Sequence, residues 1–234
     1  MGQSDGRLGP LVHRSVHHAA IVWLIASLQF VLAMAIVQWR WTTPYNLRTF
    51  YISDLGNTVC GNFPTSSMHY VCSPWHVVFD GSVIALGLLT ILGVLLVRSA
   101  FPDRSSRTLG LGLLALAGIG SIGVGLSPEN VNLTVHSVSA LLAFAGGNVG
   151  LIVLGFAMFR DTRWDGYRSY TLFSGLVGLV ALILFITHAY VGLGVGGMER
   201  LTVAPLLLWL VVASIHLLRV PTYAPRIMPK SSML

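Results

Sequence analysis

Charge is scarce in this sequence. Only 9% of its 234 residues are Asp, Glu, Lys or Arg, where a soluble domain carries about 25%. With 54% hydrophobic residues and a mean hydropathy of +0.76, that scarcity excludes a soluble globular protein. Strict alternation of apolar and polar residues is also missing, which excludes a β-barrel. No basic run is interleaved with aromatics, so nucleic acid is excluded as a partner. There is no H-E-x-x-H and no paired-cysteine metal motif. The glycine-rich "GLGLLALAGIGSIGVG" lacks the strand and the lysine of a phosphate loop, so it reads as a close-packing face.

What is present is long apolar runs. About 20 apolar residues cross the hydrocarbon as a helix, and six segments qualify: 19–38, 76–97, 108–126, 133–159, 170–191 and 201–218. The expected fold is all-α: a polytopic membrane protein with six transmembrane helices in one bundle spanning 19–218, between an amino-terminal segment 1–18 and a tail 219–234. "AMA" at 33–35 resembles a signal-peptidase site, but the apolar run continues past it, so the first helix reads as retained.

Basic residues orient such a chain. One set of span ends carries Arg7, Arg14, Arg98, Arg104, Arg107, Arg160, Arg163, Arg168, Arg219, Arg226 and Lys230, the other only Arg40, Arg48 and Arg200. This split of 11 against 3 places both termini in the cytoplasm, with loops 39–75, 127–132 and 192–200 outside. Cys60 and Cys72, the only cysteines, fall in the long outward loop, where an exported compartment permits a disulfide. Most of the six tryptophans lie near span ends, as in an aromatic belt.

The remaining polar residues gather at the outward level. "HVVFD" puts His76 and Asp80 four apart on one helix face. "SPENVNLTVH" brings Glu129, Asn130 and His136, "YISDLGN" brings Ser53, Asp54 and Asn57, and "GGMER" brings Glu199 and Arg200; His188 ends the fifth span. Two readings of this gathering compete: a polar plug that locks the bundle, and a binding or catalytic site. In the second, His76, Asp80, His136 and Glu199 are the acid–base candidates. Ser53, Asp54, Asn57, Glu129 and Asn130 line the site, and Arg200 holds an anionic head group. His76, Asp80, His136 and His188 are ligand types that zinc accepts, provided their helices converge. Asn148, deep in the fourth span, is expected to bond to a neighbouring helix.

"YISDLGN", then "SPENVNLTVHSVSALLAFAGGNVGLI", then "GGMERLTVAPLLLWL" resemble the bacterial and archaeal membrane family known as domain of unknown function 998. The resemblance covers about residues 20–218, implies a multi-helix protein of the bacterial cytoplasmic membrane, and supplies no reaction. The functional expectation is an outward pocket that binds or modifies a lipid or envelope-linked substrate. The alternatives are a small transporter or channel, and a non-catalytic partner of another membrane protein.

Overall fold

A computed structural model of the chain describes residues 8–63, 69–159 and 161–219. Residues 1–7 and 220–234, and with them Arg7, Arg226, Lys230 and most of the expected tail, lie outside the described residues, as does Arg160. Six helices dominate: α1 (Leu8–Trp39), α2 (His76–Val97), α3 (Ser105–Leu126), α4 (Leu133–Ala157), α5 (Tyr167–Ile186) and α6 (Gly194–Arg219). Each contains a stretch long and apolar enough to cross a bilayer. The protein is therefore multi-pass and sits in lipid.

The helices pack in chain order, each on the next, and α6 packs back on α1, so the bundle is a closed ring. Glycine makes the close approaches possible. A Cβ on Gly120 of α3 would stand 2.5 Å from the backbone nitrogen of Ala143 and 2.6 Å from the carbonyl of Ser139, both on α4. Such contact is what small residues allow between helices in lipid, where no hydrophobic force drives association. Polar side chains add interhelical ties. Ser27 Oγ donates to the Leu207 carbonyl at 3.1 Å, Gln29 to that of Ser82 at 3.0 Å, and Asn148 Nδ2 to that of Thr202 at 3.1 Å.

Connections define two unlike ends. At one, the short turns after α2 and α4 meet: Phe101 stacks on Trp164 with centroids 4.8 Å apart, and His216 packs between Trp164 and Tyr167. The described arginines outnumber the acids here. Asp103 pairs with Arg107 (2.5 Å) and Asp161 with Arg163 (2.6 Å). This is the arginine end.

The other end is capped by residues 40–63 and 69–75, which fold over the ring. A 3-10 turn at Ser53–Gly56 is wholly buried, and an antiparallel pair joins Gly61–Asn62 to Tyr70–Val71 with Gly61 opposite Val71. The Cys60–Cys72 disulfide flanks that pair. The cap is fastened to α6: the Gly196 N–H donates to the Arg48 carbonyl at 3.0 Å, and Gly196 has no room for a Cβ against Phe50 O.

Several expectations shift. α1 begins well before residue 19. α5 stops at Ile186 rather than 191, and α6 starts at Gly194 rather than 201, so Glu199 and Arg200 are helical. Trp23, Trp164 and Trp209 are not belt residues: all three are buried, with Trp23 and Trp209 in contact at 5.4 Å. Trp39 and Trp75 are exposed at the capped end, and Arg40 lies 5.0 Å over the Trp75 ring.

Candidate functional site

The buried turn Ser53–Gly56 puts a short polar segment under the cap and against α6. Glu199 accepts from the backbone N–H groups of Ile52 and Ser53, which satisfies a side chain only 5% exposed. Asp54 accepts from the Tyr51 N–H at 2.8 Å. Glu129, from the α3–α4 turn, accepts from Ser53 Oγ at 3.1 Å and from Asn57 Nδ2 at 3.2 Å. Beside it, Asn130 accepts from the Thr58 N–H at 3.1 Å and donates to its hydroxyl at 2.9 Å. Asp54, Glu129 and Glu199 thus form one acidic cluster. Burial, and next the Glu129 carboxylate, push Asp54 up to about 9, so the Asp54–Glu129 pair shares a proton at neutral pH.

α4 brings His136 to the same level. Asn132 caps that helix by accepting from the Val135 N–H at 3.1 Å. His136 Nδ1 lies 2.9 Å from the Ser127 carbonyl. A carbonyl only accepts, so Nδ1 carries the proton and Nε2 of the neutral ring is left as an acceptor. His136 is 7% exposed, and Nε2 has no partner among the described residues.

Two cavities meet at these groups. The inner one, about 70 Å³, lies inside the ring and reaches Asn148. The outer one, about 490 Å³, lies between α4 and α5. Ser53, His136, Ala140, Phe144 and Glu199 line both. The outer cavity is polar where Glu129, His136 and Glu199 stand and apolar where Leu141, Leu182 and Phe185 stand. Leu133, Leu141 and Ile186 at its rim are also exposed on the bundle surface, so the mouth opens sideways toward lipid. The turn after α5 completes the rim with His188 and Tyr190, whose Nδ1 and hydroxyl lie 2.7 Å apart. His188 (φ 58°) and Val191 (φ 41°) adopt left-handed backbone there, a conformation costly for a β-branched residue.

The sequence-derived candidates divide. Ser53, Glu129, His136 and Glu199 come together around the cavities, with Asp54 behind them. His76 and Asp80 do not join them: they pair with each other at 3.3 Å, and Asp80 is pressed against Gly56, where a Cβ would meet it. Neither lines either cavity. Asn57 and Asn130 tie the cap to the α3–α4 turn. Arg200 is turned away: its guanidinium donates to the carbonyls of Leu47 (3.2 Å), Phe50 (2.9 Å) and Gly196 (2.8 Å) and to the Tyr45 hydroxyl (2.6 Å). It clamps the cap and is not placed to hold an anionic head group. His188 sits beyond α5, not in its last turn. Among the described residues no three His, Cys, Asp or Glu side chains converge as metal ligands, so His76, Asp80, His136 and His188 are not one zinc set. Tyr51, Ser137 and Tyr190 also line the outer cavity and were not singled out from the sequence.

A closed ring of six spanning helices with a capped end and a side-opening cavity defines a polytopic α-helical membrane protein. The chain belongs to the family described as protein of unknown function (DUF998), whose model matches residues 24–216. Comparison with curated proteins and with solved structures gives no match.

Proposed function

We propose that this protein binds a lipid-like amphiphile drawn sideways from the bilayer, with its chain between α4 and α5 and its head at Glu129, His136 and Glu199. The observation that carries this reading is the outer cavity. At about 490 Å³ it has the size of a small-molecule site, roughly 300–1,000 Å³. Its polarity is graded as an amphiphile's is, and its apolar rim faces lipid. By the positive-inside rule we take the arginine end as cytoplasmic, so the head would lie at the outer leaflet. His136 Nε2 is the group that would take a proton if the bound amphiphile is also altered chemically.

The test uses a photoreactive single-chain amphiphile and the full chain in lipid nanodiscs. Leu182→Trp fills the apolar part of the cavity, and Ala140→Leu narrows the throat between the two. Both are expected to cut labelling of the α4–α5 wall by about tenfold while thermal stability stays near wild type. Undiminished labelling in two folded variants would remove the proposal.

A further inference from the structure

Resting on that reading of the outer cavity, we infer that the head group it takes is a protonated primary amine. Beside the hydroxyls of Tyr51, Ser137 and Tyr190, which can donate or accept, the polar end gathers three acceptors. Glu129 and Glu199 present carboxyl groups, and His136 presents Nε2, because its Nδ1 proton is held by the Ser127 carbonyl. The Ser53 hydroxyl proton is directed to Glu129.

Among the described residues no lysine or arginine lines the outer cavity. Arg200, next in sequence to Glu199, would be the natural counter-charge, yet its guanidinium is committed to the Leu47, Phe50 and Gly196 carbonyls and the Tyr45 hydroxyl. A phosphate or carboxylate head would therefore enter beside carboxyl groups with no Lys or Arg N–H of the described residues in the cavity to bind it, at a heavy desolvation cost. An ammonium reverses each term: its three N–H donors match the acceptors present, and its charge is opposite to the cluster's. His136 is an independent sign of a ligand. Its side chain is more than nine-tenths buried, and Nε2, with no partner among the described residues, belongs to a ring that lines both cavities, where a donor can reach it.

Three photoreactive probes of one chain length, carrying primary ammonium, hydroxyl or phosphate heads, decide the matter. They are applied to the full chain in nanodiscs of zwitterionic lipid, so the surface does not concentrate any of them. The ammonium probe is expected to label the α4–α5 wall about tenfold more than the phosphate probe. Glu129→Gln and Glu199→Gln should each lower ammonium labelling several-fold more than hydroxyl labelling; Gln preserves an acceptor for the bonds from Ser53 and Ile52. Equal or stronger labelling by phosphate, or indifference of the ammonium probe to both substitutions, overturns the inference. If all three probes label equally and Leu182→Trp abolishes all three, the amine assignment fails while amphiphile binding stands. If Leu182→Trp changes none, both fail.

Discussion

Two carboxyl groups pressed together under a lid of backbone cannot both be ionised cheaply, and Asp54 beside Glu129 meets that condition. With Asp54 raised to about 9 from an ordinary value near 4, the folded protein holds a proton between those limits that the unfolded chain releases. Stability from this group is therefore complete below about pH 4 and is lost progressively as pH rises toward about 9. Asp54→Asn keeps an acceptor for the Tyr51 N–H and removes the titration. We expect thermal unfolding in detergent to show wild-type stability falling from pH 5 to 9, with the variant's profile flat by comparison. Coincident profiles would mean that Asp54 is ionised throughout. At this scale the sequence was informative about which residues share a depth, because the segments holding Ser53, Glu129, His136 and Glu199 all flank the arginine-poor span ends. It was silent about direction. Asp80 and Arg200 carry the same kinds of charge as the cavity residues, and only the packing of Gly56 on α2 and of the Leu47–Phe50 carbonyls on α6 turns them away.

Among the elements, α3 shows most clearly how small residues set helix separation. Gly112 and Gly120 are alike in sequence context, yet a Cβ on Gly112 meets nothing within 4 Å while one on Gly120 meets α4 backbone. Gly120→Ala should destabilise by about 1–3 kcal/mol, as overpacking does. Gly112→Ala should be neutral or stabilising by up to about 1 kcal/mol through helix propensity. Unfolding titrations of the two variants against wild type separate these outcomes; equal effects would mean that α3 and α4 are not in backbone contact. The existence of six helices was legible because each apolar run is long. Two of their ends were not. "GVGGMER" reads as a loop because glycines and charges interrupt the hydropathy, yet these glycines let α6 start early against the cap. "THAYVGL" reads as span because it is mostly apolar, yet left-handed backbone at His188 and Val191 breaks the helix there. Hydropathy reports solvent, not hydrogen bonding.

For the whole molecule, closure of the ring by α6 on α1 was not written in any local pattern: nearly every helix face is apolar, so the sequence does not mark the inward one. The distribution of arginine did mark two unlike ends. It leads to a prediction for the intact protein in a bacterial host. Alkaline phosphatase, which is active only outside the cytoplasm, inserted after Ser127 should be active and inserted after Ser105 inactive. The reverse pattern would invert the assignment of sides and put the cavity at the inner leaflet.

The cap has a consequence for how occupancy is set. Residues 40–63 and 69–75 cover the end of the ring, and the outer cavity opens between α4 and α5, so the proposed amphiphile would reach it from the membrane. What matters is then its mole fraction among the lipids. A compound vanishingly rare in water can be abundant in that two-dimensional reservoir, and the protein would report on the composition of its own solvent.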